Sequence, residues 1–91
     1  MPAYTATKEQ LLARLKRIEG QTRGVQKMVE EDRYCIDVLT QISAVQAALD
    51  KVALGLLDDH VRHCVVEGHG PGSQRELTDE MMAAIGRLIA R

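Results

Sequence analysis

The sequence predicts an all-α protein of three helices, and three observations carry that prediction. The apolar residues are Leu, Ile, Val, Met and Ala, with no Phe or Trp and only Tyr4 and Tyr34 as aromatics, a composition that favours helix packing over a β-rich core. Two stretches repeat their apolar residues at helical spacing, and a third, shorter one does so near the end. The breaks between them are short and marked by acidic or Gly-rich clusters. With 91 residues the chain makes one domain, 1–91, with no internal repeat or boundary. A few long helices of this size do not cover one another, so oligomerisation is expected.

Residues 1–6 form a loose arm. Thr7 with Gln10 fits a capping box that opens a first helix over 7–30. Within it Leu11, Leu15, Ile18, Val25 and Val29 make one apolar stripe. Gly20 and Gly24 interrupt this helix at some cost in propensity. They leave room on one side for another backbone, or are merely tolerated. Glu30 to Arg33 punctuate the chain, with Asp32 as the expected N-cap of a second helix over 34–65. Val38, Ile42, Val45, Leu49, Val52 and Leu56 alternate spacings of four and three, a heptad pattern that implies a coiled-coil-like seam. Residues 67–77 read as a loop. Thr78 then serves as N-cap of a short third helix, 78–90, with Asp79 and Glu80 in its first turn and Met81, Ile85, Leu88 and Ile89 on its apolar side.

The net charge of −1 hides an asymmetry. From Lys8 to Lys27 six basic residues (Lys8, Arg14, Lys16, Arg17, Arg23, Lys27) face two acids (Glu9, Glu19), a local balance of +4 against −5 for the remainder. A basic helix on an acidic body suits an anionic partner, and equally a solvated face. No segment approaches the ~20 continuous apolar residues of a membrane span. The first ten residues contain no apolar signal core, and the two cysteines read as free thiols, so the cytoplasm is the expected compartment. There is no nucleophile with a base, no phosphate loop and no paired catalytic carboxylates, so an enzyme is not expected.

His60 and Cys64 stand four residues apart, one turn apart on one helical face. Cys35 is the only other cysteine and falls at the opposite end of the second helix. Two thiols and an imidazole are a soft donor set suited to trigonal Cu(I) rather than to Zn(II), which usually takes a fourth ligand. At the rise of an α-helix, Cys35 and Cys64 of one chain lie roughly 43 Å apart, so one chain cannot bring them to one ion. An antiparallel partner could bring its Cys35 beside this chain's His60 and Cys64, giving two equivalent sites per dimer. The small residues of Ala44-Val45-Gln46-Ala47-Ala48 lie near the midpoint and would let two copies cross closely at a two-fold axis. A ligating imidazole needs a partner for its second nitrogen, and Tyr34 and Glu80 are candidates. Each residue taken singly has a plainer role: a buried small hydrophobe for a cysteine, a core filler for Tyr34, a dipole partner for Glu80. His63, about 100° round the helix from Cys64, and His69, in the Gly-rich loop, are not expected to ligate.

The run RLKRIEGQTRGVQKMVEEDRYCIDVLTQISAVQAALDKVALGLLDDHVRHC, within a match over roughly residues 8–66, strongly resembles the copper-sensitive operon repressor family (CsoR-type), part of a wider group with nickel/cobalt, formaldehyde and persulfide sensors. The resemblance implies an antiparallel four-helix-bundle dimer that pairs into a tetramer, binds operator DNA in the metal-free form and releases it with Cu(I). It implies Cys35 of one subunit with His60 and Cys64 of the other as the Cu(I) ligands. Tyr34 and Glu80 match the network around the histidine. Arg14 and Lys51 match basic positions used on DNA, with Lys16, Arg17 and Arg23 on the same basic helix as Arg14. Nickel/cobalt members carry additional histidines, one near the N-terminus, whereas the first histidine here is His60. Persulfide sensors place Cys where His60 stands, and formaldehyde sensors lack the cysteine corresponding to Cys64. The Cys, His, Cys set therefore points to copper. A copper buffer or carrier without DNA function, a sensor of another inducer, and a structural oligomer with incidental thiols are the alternatives.

Overall fold

The computed structural model describes residues 3–68 and 72–90, and among these it is helical with no strand. A short 3-10 turn, Thr5–Thr7, leads into α1, Lys8–Glu30. The second helix, α2, spans Cys35–His60 and runs on without a break into a π-helical turn, Val61–Val66. The third, α3, spans Gln74–Ile89. His69 lies outside the described residues.

The first two helices form an antiparallel hairpin. Leu11, Ile18 and Val52 are its buried centre, with Val45 and Ala48 packed against them. Near the open end Leu11 approaches Gly55, where an added Cβ would stand 3.9 Å from its side chain. The tight corner comes from α1's own ending. Asp32 takes the left-handed conformation (φ 55°), the amide of Arg33 donates to the carbonyl of Met28, and that of Asp32 donates to Val29. This pair of bonds is a Schellman ending, and Asp tolerates the left-handed region better than most side chains. The expected N-cap role of Asp32 is therefore corrected: it closes α1. Tyr34 stands at the start of α2, its carbonyl accepting from the amides of Asp37 and Val38.

Two apolar patterns split in the fold. On α1, Leu11 and Ile18 are buried and Val25 is half-buried, while Leu15 and Val29 stay exposed. Leu15 is turned roughly 60° from Ile18 around the helix, beyond the strip that one neighbouring helix covers. On α2 the heptad divides by position. Val38, Val45 and Val52 face α1 and are covered to varying degrees, Val52 down to 5% exposure, while Ile42, Leu49 and Leu56 keep 37%, 44% and 37% of their surface. A single hairpin thus uses half of the seam.

Two expected helix starts differ. Thr7 makes no capping bond to α1. It closes the 3-10 turn with φ −110° and ψ 4°, outside the extended backbone that an N-cap normally adopts. The third helix begins earlier than the expected 78–90. Ser73 is its N-cap, extended at φ −78°, ψ 162°, and its Oγ accepts from the amide of Glu76 at 3.2 Å. Ser73 and Glu76 have capping-box spacing, a signal that the Gly-rich composition around it masks. Thr78 is internal, its hydroxyl donating to the carbonyl of Gln74 at 2.7 Å. Leu77 is the one buried residue of α3, and α3 meets the rest of the chain at the π-helical turn.

These assignments separate two substitutions. Ser73→Ala should cost about 1 kcal/mol and fray the start of α3. Thr78→Ala should be neutral or slightly stabilising. Hydrogen exchange of the amides of residues 76, 80 and 81 checks this; protection of 80 and 81 lost in Thr78→Ala, with that of 76 unchanged in Ser73→Ala, would restore Thr78 as the cap.

Candidate metal centre and nucleic-acid interface

Cys35 is the first residue of α2 and is exposed. It opens onto a groove of about 590 Å³ shared with Val29, Asp32, Arg33, Val38 and Leu39. His60 is the last α-helical residue of α2 and is half-buried; Cys64, in the π-helical turn, is buried. The amide of Glu67 donates to the carbonyl of Arg62 at 3.1 Å, the i→i+5 bond of a π turn. Such single turns recur at functional sites. Arg62 spans the junction, its Nε donating to both carboxylate oxygens of Asp58 at 3.0 and 3.1 Å. Both partners are exposed, so the pair adds little stability, but it ties the last α turn to the first π turn.

Among the described residues of one protomer, no three His, Cys, Asp or Glu side chains come together as a metal site. The reason is the rod between them. Cys35 and His60 mark the two ends of α2, and the molecule's longest extent is 52 Å. Both cysteines are free thiols, so the soft donors are chemically available. Cys35 is in heptad register with Ile42, Leu49 and Leu56, and His60 with Leu39, Gln46 and Ala53, so both ends border the same uncovered side of α2. Along that side a second groove is lined by Gln46, Leu49, Asp50, Ala53 and Leu56.

His60 and Glu80 border a common space. They line one open groove of about 320 Å³ between the end of α2 and α3, alongside Leu56, Leu57, Met81 and Ile85. Tyr34 is exposed and sits beside Cys35, at the far end of the rod from its own chain's His60. Spacing alone puts Met81 on the apolar side of a helix; that it shares a groove with His60 is set by how α3 folds back.

The five basic residues separate into two groups. Arg14 and Arg17 of α1 and Lys51 of α2 line one groove of about 440 Å³, with Ile18, Gln21, Ala44, Ala47 and Ala48 as its floor and walls. Lys16 and Arg23 lie outside this groove, and Arg23 pairs with Glu19 at 3.3 Å. Charge and apolar patterning do not single out Gln21, although its position one turn beyond Arg17 places it on the same face. Within one chain the alanines serve the hairpin. Ala44, Ala47 and Ala48 floor the groove between α1 and α2, and Ala48 packs on the hairpin core, so their small size lets α1 approach α2. Added Cβ atoms at Gly20 or Gly24 would meet nothing within 4 Å, so neither glycine is required for packing within the chain.

A three-helix hairpin with thiol and imidazole donors at the two ends of its long helix, and cations converging across its two long helices, defines a class of ligand-responsive helical regulator. The chain belongs to the metal-sensitive transcriptional repressor family, whose model matches residues 7–87. It is 56% identical over 89 residues to the copper-sensing transcriptional repressor RicR of Mycobacterium tuberculosis, covering 94% of this chain and 92% of that one. It is 56% identical over 75 residues to the copper-sensing transcriptional repressor CsoR of Bacillus subtilis, covering 82% and 74%. The crystal structure of the copper-sensing repressor CsoR with Cu(I) from Geobacillus thermodenitrificans is similar to it with a TM-score of 0.74 and 53% identity, over 93% of each chain. The nickel-responsive transcriptional regulator InrS has the same TM-score at 42% identity, over 89% and 91%.

Proposed function

We propose that this protein is a Cu(I)-responsive transcriptional repressor that binds operator DNA without metal and leaves it when Cu(I) binds. One observation carries the choice of ligand: the soft donors of the chain stand at both ends of one uncovered face of α2. A second copy, laid antiparallel on that face, covers Ile42, Leu49 and Leu56 and brings its Cys35 to this chain's His60 and Cys64. Two thiolates and an imidazole offer Cu(I) the three soft donors it prefers. The nickel-responsive neighbour shares the fold, so the donor set rather than the fold selects the metal, and its sulfur content favours copper. Binding ionises the thiols and releases protons. The same pairing would carry Tyr34 of one chain toward the groove that His60 and Glu80 of the other line, and Tyr34 and Glu80 are proposed to orient the imidazole. The dimer, its pairing into a tetramer, and a cytoplasmic setting are part of the proposal. No described helix is long and apolar enough to cross a membrane.

For DNA, Arg14, Arg17 and Lys51 form the central phosphate-binding group, because they converge on one groove. Lys16 and Arg23 add longer-range attraction from the other side of α1. None of the described elements is a helix-turn-helix pair, so recognition combines phosphate contacts with base contacts and DNA shape. Copper must favour the conformation that binds DNA poorly. Couplings of about 1–3 kcal/mol are common, and near-complete switching takes about 5.5 kcal/mol of differential affinity.

Three experiments test this. Cys35→Ala and Cys64→Ala homo-oligomers should each lose tight Cu(I) binding, whereas mixed oligomers of the two should regain about one site per dimer; no recovery on mixing would exclude a site shared between subunits. Arg14→Ala and Lys51→Ala should each lower the slope of log K against log[salt] by about 1 for every phosphate that the side chain neutralises in each chain, with a smaller change for Arg23→Ala. Equal slopes in all three would remove the groove from the DNA face. His60→Ala should bind Cu(I) more weakly and, once saturated, stay on DNA. Normal release at saturation would mean that the imidazole is a ligand without a role in coupling, while absence of any shift of promoter DNA by the wild type would leave a copper carrier.

A further inference from the structure

One side-chain hydrogen bond reaches across 52 positions of the chain and joins the two functional regions. The Thr7 hydroxyl, at the start of α1, donates to Oδ2 of Asp59 at 2.6 Å in a partly buried setting. The carbonyl of Tyr4 lies at 3.3 Å as a second acceptor for the same proton. Asp59 immediately precedes His60 on the last turn of α2. Asp59 faces α1, and His60, roughly 100° further round the same turn, faces the groove with Glu80. Any rotation of this turn that re-aims His60 moves Asp59 with it.

The other end of the bond is equally placed. Thr7 adjoins α1 at Lys8, and Arg14 follows about 10 Å along the helix axis. Of the three converging cations, Arg14 and Arg17 come from α1 and Lys51 from α2. Their spacing therefore depends on how α1 lies along α2, and at the open end of the hairpin that alignment is held by Leu11 against Gly55 and by Thr7 on Asp59. Thr7 also has an alternative. Its spacing to Gln10 is that of a capping box, yet it makes no capping bond here. Released from Asp59, its hydroxyl would be free to cap its own helix, a second arrangement that the sequence spacing permits.

We infer that Thr7 and Asp59 are positioning residues: their hydrogen bond transmits the state of the ligand-bearing end of α2 to α1 and holds Arg14, Arg17 and Lys51 at the DNA-binding spacing. This rests on the repressor reading above. The tie belongs to the DNA-binding arrangement, and metal-driven movement of the last turn of α2 breaks it.

The test is the ratio of DNA affinities of the metal-free and Cu(I)-loaded full-length oligomer, measured for wild type, Thr7→Ala, Thr7→Ser, Asp59→Ala and the Thr7→Ala/Asp59→Ala double variant. Thr7→Ala should narrow the ratio by roughly tenfold, the size of one hydrogen bond to a charged acceptor, by weakening metal-free binding alone. Cu(I) stoichiometry should be unchanged, Thr7→Ser should restore the ratio, and the double variant should lose no more than either single one. A wild-type ratio in Thr7→Ala, or equal weakening of both forms, would overturn the link, the latter by making Thr7 a structural or direct DNA contact. Additive losses in the double variant would do the same. Should Asp59→Ala fail to fold, the Thr7→Ala and Thr7→Ser pair decides, because Thr7 is remote in sequence from the donors. If Cu(I) does not release the wild type at all, the copper reading itself fails and the link falls with it; release of the wild type with a normal ratio in Thr7→Ala removes the link alone.

Discussion

A long amphipathic helix with more apolar surface than one neighbour can cover is the constraint on which the rest of this protein depends. One helix packing on α2 shields a strip of limited width, and α1 shields the strip carrying Val38, Val45 and Val52. The companion set, Ile42, Leu49 and Leu56, remains open to solvent at 37%, 44% and 37% exposure. Hydrophobic burial contributes about 25 cal/mol per Å², so this surface favours association with whatever matches its register. The thiol and imidazole positions border the same face. In the proposed dimer, assembly and ligand binding would both follow from this one surface, since a site that needs both ends of the rod is open only to chains that pair.

The hairpin gives the basic residues a second kind of dependence. Arg14 and Arg17 ride on α1 and Lys51 on α2, with alanines between them that permit close approach. A cation pattern spread over two helices is sensitive to sliding or tilting of one on the other, whereas a pattern on one helix is rigid. If the groove binds DNA as proposed, small changes of helix packing would alter its match to fixed phosphate spacing. Cations on the opposite side of α1 lack this sensitivity, and Arg23 is further engaged by Glu19.

The end of α2 is where the two dependences meet. The helix widens into a π turn at Val61–Val66, Arg62 clasps Asp58 across the junction, and α3 attaches there. Within about two turns the chain presents Asp59 toward the start of α1, His60 on a groove that Glu80 also lines, and Cys64 in a buried position. The turn that carries His60 and Cys64 also carries the contacts to the other helices, so a ligand bound there as proposed would act on both.

Much of this is legible in order along the chain. Heptad spacing, the absence of Phe and Trp, and the separation of Cys35 from His60 and Cys64 determined an all-helical chain with a long second helix and donors that one copy cannot unite. The type of each helix follows from local periodicity, which is a property of sequence alone. Helix ends are less legible, because several residues compete to cap. Asp32 closes α1 by its left-handed backbone, Ser73 takes the cap expected of Thr78, and Thr7 gives its proton to Asp59. Only the tertiary structure decided which half of the heptad α1 covers, that the alanines serve α1, that Glu80 shares a groove with His60, and that Arg14, Arg17 and Lys51 converge while Lys16 and Arg23 do not. Each of these depends on the rotation of one helix about its axis relative to another, which side-chain packing across the interface selects and a one-dimensional pattern leaves open.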